Sequence, residues 1–397
     1  MRGYVVFWGT MTCVHHETLK PVAVRLRIHA ESLRGQVNAR FFREHPSDRE
    51  LFPVASHDVH ADLPTVLDWV LVNTPIDGSL PERVRRILAQ LGRENRRYRM
   101  PTAHYASLSD ATRAEVGRII TNLPSELVTG ADTAIAQCFG VMAEAAAECD
   151  AAGIPDSWPA EVVEVERRCA RVSVVRLIAD VPPPYAAGQY LPVTSDTTTR
   201  GLWRHLSPSI PTNDDGQVEF HVFADRDDTI GRLLAAPEPG DRWRFGSPLG
   251  LMSVDGSRDI LMVAHSTGLA PLRALLLDML MHGTGRRVHL FFGADSPGEL
   301  YDLRGLWQLV AGAPWLSVTP VVTREVDPWW VRRTEHSTAP RGLHMQQTGS
   351  LAEVVPSYGT WEDRDVLISG PGDIVADIAA AMRAAGTPAE NIRHDPV

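Results

Sequence analysis

"RDILMVAHSTGLAPLRALLLDMLMHG", residues 258–283, decides how the C-terminal third of the chain is built. "DILMVAH" is a short apolar run between polar residues, the signature of a strand buried on both faces. A turn of small residues, Ser266 to Gly268, follows it. "LAPLRALLLDMLM" is then long enough for a helix and stops at Gly283, a residue suited to ending one. A buried strand feeding into a helix is the repeating unit of a parallel sheet with crossover connections.

Toward the C-terminus the alternation continues. "RRVHLFFGA", "LSVTPVVT" and "DVLISG" read as strands, and "GDIVADIAAAMRAAG" as a helix. Residues 256–397 are therefore expected to form a doubly wound parallel-sheet domain. A long irregular segment, 324–349, interrupts it and carries Trp329 and Trp330, an aromatic pair suited to closing over a ligand or to packing between domains. Toward the N-terminus the period changes. "AEVVEVERRCARVSVVRLIAD", "GQYLPVTSD" and "QVEFHVFAD" are rich in Val, Thr and aromatics between turn residues, which predicts a short antiparallel barrel over 156–255. Before that, "LRGQVNARFFREH" sets Leu33, Val37, Phe41 and Phe42 at helical spacing, and the helical pattern runs on to Gly153 and Pro155. Residues 1–155 read as all-α, so the whole is a multidomain α, β and α/β chain.

Composition excludes several functions. The chain has 397 residues, 44% hydrophobic and 22% charged, enough for two or three cores. Its formal charge of −10 comes without a basic block, so no nucleic-acid partner is expected. No apolar run is long enough to span a bilayer, and the first residues lack the pattern of a signal peptide. Cys13, Cys138, Cys149 and Cys169 have no metal-type spacing, which suits a reducing cytoplasm. "HHE" (15–17) and the His57/His60 pair, which would share a helix face at this spacing, are not joined by a third ligand. They read as surface residues rather than a metal site.

All-α, β-barrel and doubly wound module, in this order, resembles the flavohaemoglobins. The motifs that carry the resemblance are "FFREHPSDRELFP" (41–53), "LGRENRRYRMPTAHY" (91–105), "YAAGQYLPV" (185–193), "WRHLS" (203–207), "FGSPLG" (245–250), "AHSTGLAPL" (264–272), "FFGADSPGELYDL" (291–303) and "ISGPGDI" (368–374). The resemblance implies a globin-like domain carrying haem, an FAD-type barrel and an NAD-binding-like domain.

Residue by residue, this chain departs from that pattern. The resemblance puts the proximal haem histidine at Asn95, although the tyrosine that should hold it survives as Tyr105. An amide is a poor iron ligand beside imidazole. The distal tyrosine falls on Asn38, the distal glutamine on Val59 and the following leucine on Leu63, while Phe52 takes the haem-stacking position. Haem is therefore not expected, with His57, His60 and His104 as the substitute ligands to test.

For FAD, the Arg-x-Tyr-Ser strand implied by the family reads Arg204-His205-Leu206-Ser207, which keeps the phosphate-binding arginine and the serine but loses the aromatic stack. The second phosphate contact reads Thr229-Ile230-Gly231, with Asp225, Asp227 and Asp228 adding negative charge beside it. Gln189, Tyr190, Pro248 and Leu249 complete the implied flavin set. For a nicotinamide cofactor, His265 and Ser266 stand on the glycine pair, with only Thr267 and Gly268 kept. A side chain at 265 would crowd the pyrophosphate, although a protonated imidazole would contact it. Gly370 and Pro371 remain beside the nicotinamide position, and Val397 replaces the terminal aromatic.

The expectation is an FAD-binding oxidoreductase whose haem chemistry is lost and whose use of NAD(P)H is weak. It would act on a small molecule or through a redox partner protein. The alternatives are a non-redox enzyme that uses the old cofactor grooves for a bulky apolar substrate, and a non-catalytic binding protein.

Overall fold

The computed structural model describes residues 18–52, 60–198, 201–224, 228–283 and 285–395. They divide into two compact units, one reaching to Ser157 and the other comprising nearly everything from Trp158 onward.

The first unit is helical: α1 (Lys20–Ile28), α2 (Ala30–Glu44), α3 (Leu63–Val72), α4 (Glu82–Asn95), α5 (His104–Ile119) and α6 (Ser125–Ala151). Leu33, Val37 and Phe41 recur every fourth residue of α2 and are fully buried, as their spacing predicts. Helix α4 lies so close to α6 that a Cβ at Gly92 would meet the Met142 carbonyl at 2.2 Å. Gly153, with φ of +67°, turns the chain out of α6.

The second unit contains two sheets. Strands β1 (Trp158–Arg167), β2 (Val172–Ala179), β3 (Leu191–Ser195), β4 (Arg204–Leu206), β5 (Gln217–Phe223) and β6 (Arg242–Phe245) make an antiparallel sheet in the order β4-β3-β6-β1-β2-β5. A bridge from Pro208 to Phe220 brings the chain beyond β4 against β5, so the sheet nearly closes into a barrel. Inside it pack Trp243, Phe220 and Phe245, all fully buried. The short helix α7 (Thr229–Leu234) joins β5 to β6.

The second sheet is parallel, with strands β7 (Asp259–His265), β8 (Val288–Ala294), β9 (Leu316–Val322), β10 (Gln347–Thr348), β11 (Arg364–Ser369) and β12 (Ile392–Arg393) in the order β10-β9-β8-β7-β11-β12. Helices α8 (Leu269–His282), α9 (Leu303–Gly312), α10 (Leu351–Ser357) and α11 (Gly372–Ala384) are the crossovers. Two apolar clusters cover the sheet, one built on α8 and the other on α10 and α11. Strand order reverses at β7, so the turns after β7 and β11 flank the crevice where open α/β sheets hold ligands. Among the described residues no helix is long and apolar enough to cross a membrane.

Candidate functional site

The barrel residues singled out by sequence converge on one rim. Strand β4 sets Arg204 opposite Val193 and Leu206 opposite Leu191 on β3, with His205 pointing to solvent. Leu206 packs against the barrel core. The Arg204 guanidinium lies 2.9 Å from the Asp228 carboxylate. Asp228 is almost fully buried, caps α7 by accepting from the Ile230 N–H at 3.1 Å, and underlies Gly231. The acid beside Thr229 is therefore a structural partner of the arginine rather than loose negative charge. Thr229 is exposed, and Ile230 turns into the core.

Just before β3, Tyr190 and Leu249 exchange backbone hydrogen bonds, and Gln189 Nε2 donates to the Gly250 carbonyl at 3.3 Å. The Tyr190 ring lies 5.1 Å from that of His205. Tyr190 thus returns to this rim an aromatic face that Leu206 does not provide. Asp395 also borders it. Its carboxylate accepts from the Leu251 N–H at 2.9 Å, and a Cβ at Gly250 would fall 2.7 Å from it. Burial raises the pKa of this carboxyl. Val397, Asp225 and Asp227 lie outside the described residues.

These residues fit FAD. Arg204 is 40% exposed and ion-paired with Asp228, which holds a cation of the type that binds phosphate at the surface of this rim. Asp228 Oδ2 is buried and, despite the short distance to Arg204, makes no hydrogen bond of good geometry.

The nucleotide turn is tighter. A Cβ on Gly268 would lie 2.3 Å from the Ser369 carbonyl and 2.6 Å from the Gly370 nitrogen, so the turns after β7 and β11 touch through their backbones. Ser266 has φ of +52°, a left-handed conformation that a glycine adopts without strain. His265 Nε2 is 3.8 Å from Asp295, and its buried Nδ1 makes no hydrogen bond among the described residues. Burial lowers the His265 pKa, with Asp295 opposing. That burial works against the protonated imidazole that would contact a phosphate here. Thr267 and Gly370 lie in this turn region half-buried, and Pro371 is the exposed N-cap of α11.

In the helical unit Asn95 ends α4, near the buried Tyr105 of α5. Asn38 Oδ1 is 2.6 Å from His60 Nδ1. His60 sits before α3 in a turn with φ of +49°. The His57/His60 reading cannot be placed as a pair, since His57, like Val59, lies outside the described residues. His104 is held by Asp48 at 2.6 Å and stacked on His45. Phe52 stacks on Tyr98 and meets His60 edge-on at 4.8 Å, and Leu63 packs on the core. Position 95, where the resemblance puts the iron ligand, holds a carboxamide, a poor ligand for iron beside imidazole. Among the described residues no cluster of His, Cys, Asp and Glu could hold a metal ion. Cys138, Cys149 and Cys169 are buried free thiols, and Cys13 lies outside the described residues.

Sequence reasoning named Tyr190 among the flavin residues and Asp228 as negative charge beside Thr229, but missed Asp228 as the partner of Arg204 and Asp395 against Gly250.

No protein-family model matches the chain. Among curated proteins it is similar to the reductase component of a phenol 2-monooxygenase from Pseudomonas sp. (strain CF600), 31% identical over 159 residues, covering 38% of this chain and 43% of that protein. It is also similar to the reductase component of a propane 2-monooxygenase from Rhodococcus jostii, 26% identical over 245 residues, 59% of this chain and 62% of the relative. The chain thus spans roughly two fifths to three fifths of the length of these relatives. A flavohemoglobin from Malassezia yamatoensis, crystallised with FAD and heme, superposes with a TM-score of 0.68 over 95% of this chain and 97% of its own at 14% identity. An Amycolatopsis cytochrome P450 reductase gives a TM-score of 0.51 over 60% of this chain and 69% of its own at 23% identity. The second unit therefore has the fold of ferredoxin-reductase-type proteins, a near-barrel followed by a parallel sheet. The two curated relatives named above are reductase components of monooxygenases.

Proposed function

We propose that the chain is an FAD-binding oxidoreductase that passes electrons to an acceptor, most simply a partner protein, and that it does so without haem chemistry. The observation that carries the reading is the Arg204–Asp228 pair on the barrel rim, which orients a half-exposed guanidinium where a pyrophosphate would lie. The reductase components among its relatives support the same class of reaction. Bound FAD would supply two-electron storage with release in one or two steps. The chain's own residues bind and orient it: Arg204 and Ser207 hold its polar parts, Tyr190 and Leu206 bound the ring, and Gln189, Pro248 and Leu249 shape the turn beneath. Residues 1–155 are then a globin-like scaffold without its iron ligand, 156–255 the FAD-binding barrel and 256–397 the NAD-binding-like module. Crowding by His265 and Ser266 makes its use of NAD(P)H weak.

The absorbance spectrum of the purified protein tests this directly, with a flavin band and no stoichiometric Soret band expected. A colourless protein would instead point to a non-redox role for the grooves. Removing a charged bond to a buried phosphate costs about 1.5–3 kcal/mol, roughly ten- to a hundredfold in affinity. Arg204→Ala is therefore expected to lose FAD on dialysis while the unmodified protein keeps it. Full retention in the variant would place the phosphate elsewhere.

A further inference from the structure

At the amino edge of the parallel sheet, opposite the turns after β7 and β11, the structure has a concavity of about 550 Å³. Small-molecule pockets span roughly 300–1,000 Å³, so the size suits a small ligand. Its walls include Arg286, Arg287 and Arg364, with His289, Trp315 and Ser317. No acidic side chain is among the described residues that line it.

Sheet register explains why these groups meet. Val288 on β8 pairs with Ile260 on β7 and with Leu316 on β9, so Arg287 and Trp315, each one residue earlier, enter the sheet side by side. Arg364 opens β11 opposite Asp259, the first residue of β7. The strands run in one direction, so their first residues share one edge. The carboxylate of Asp259 is engaged by backbone, accepting from the Arg287 N–H at 2.8 Å. Asp363 stands 3.8 Å from Arg364 but is 76% exposed, and water screens such a pair.

The three guanidiniums are held differently. Arg286 donates to the Val254 carbonyl, which anchors it. Arg364 lies over the Trp361 ring, 5.3 Å from its centroid. Arg287 is exposed, and its side chain makes no hydrogen bond or ion pair among the described residues. Beside these cations are flat rings. Trp315 is half-buried, packed against the cluster built on α8. His289 stacks on Phe291 at 4.3 Å and lies 2.9 Å from Thr319 Oγ1 through Nε2. Burial, aided by the charges of His344 and Arg364, lowers the His289 pKa to about 4, so at neutral pH it supplies a ring and not a charge.

Guanidinium forks match carboxylates, and indoles offer faces to other rings. A small inorganic anion would use the cations and leave the rings idle, and a neutral aromatic would do the reverse. We propose that this amino-edge concavity binds a small aromatic carboxylate, its charged group held by Arg287 and Arg364 and its ring set against Trp315. The site lies at the opposite edge of the sheet from His265 and Gly370 and does not rest on the oxidoreductase reading.

The test is isothermal titration of the intact chain with benzoate, benzamide and acetate. Benzamide lacks the charge and acetate the ring, so benzoate is expected to bind at least tenfold more tightly than either. Arg287→Gln should weaken benzoate by roughly tenfold, the loss of a charge-assisted bond. Arg364→Lys, which keeps the charge but not the planar fork, should weaken it by a smaller factor. Trp315→Leu should shrink the advantage of benzoate over acetate. Arg232→Gln, at an exposed arginine of α7, is expected to change nothing. Because Arg287 is exposed, its variant should fold, and an equal thermal midpoint checks this. Absence of benzoate binding overturns the site. So does binding no tighter than that of benzamide or acetate, or an Arg287→Gln affinity equal to that of the unmodified chain.

Discussion

Two ionisable side chains in the helical unit make opposite demands on pH. His60, enclosed by Phe42, Phe52 and Asn38, is pushed down by burial to about 4. Glu94 is pushed up by burial to about 7, with Arg97 opposing. For His60 the unfolded chain takes a proton near pH 6.5 that the folded chain refuses until about 4. Its contribution is whole above the unfolded value and lost as pH falls toward 4, by at most about 3 kcal/mol since the ring is only part-buried. For Glu94 the folded chain keeps its proton to about pH 7 while the unfolded carboxyl releases it near 4.5, so stability is lost as pH rises through that window. Between about 4.5 and 6.5 the two slopes cancel. Urea titrations across this range should therefore show little net dependence from this pair in the unmodified protein. Glu94→Gln should leave stability rising with pH up to about 6.5. His60→Asn, which tolerates the left-handed turn, should leave it falling toward pH 7. Identical pH profiles for both variants and the parent would show that neither group titrates as its surroundings imply.

At the scale of elements, the same substitution is expected to have opposite signs at two glycines. Gly92→Ala in α4 drives a methyl into the Met142 carbonyl of α6, and backbone cannot step aside as a side chain tip can. A loss of roughly 1–3 kcal/mol is expected, as for other overpacked sites. Gly140→Ala, on the exposed face of α6 with nothing within 4 Å, should gain up to about 1 kcal/mol from helix propensity. Thermal melts of the two variants decide it, and two changes of the same sign would contradict the packing described. This difference is invisible in sequence, since both residues sit in helical runs. What was legible came from short-range pattern. The fourfold spacing of Leu33, Val37 and Phe41, the buried run of β7 and the length of α8 each follow from the neighbours of each residue along the chain. Asp228 reaching Arg204, or Asp395 reaching Gly250, depends on sheet register and on where a loop returns, and neither leaves a local mark.

At the scale of the whole second unit, the barrel and the parallel sheet are joined by buried ionic groups. Glu219 on β5 meets Arg176 on β2 at 2.8 Å and Arg273 on α8 at 3.0 Å, Arg273 meets Asp302 at 3.3 Å, and Asp302 meets Arg168 at 3.1 Å. His221 and the fully buried Tyr301 are linked at 2.8 Å beside them. Although burial opposes it, the His221 bond and the Arg273 charge hold the Glu219 carboxyl below its usual range. A junction so densely paired favours one arrangement of the two sheets, since breaking any partner strands a buried charge. Rigid placement of the lobes puts the burden of alignment on the turn at His265 and Ser266. Hydride transfer needs nicotinamide and flavin rings in a near-attack arrangement, and small misplacements cost large factors in rate. That turn carries an imidazole whose burial disfavours its charged form, and a serine in a left-handed conformation, where a phosphate would approach. Bound flavin is therefore expected to be reduced by NADH far more slowly than in an efficient reductase. His265→Gly with Ser266→Gly should tighten NADH by relieving both obstacles. Full rate is not expected to return, because Leu206 still stands at the tyrosine position beside the ring. Anaerobic stopped-flow mixing measures this directly. Bleaching of the flavin band within the mixing time by stoichiometric NADH, in the unmodified protein, would mean that the turn admits the cofactor as it stands and that His265 and Ser266 are no obstacle to it.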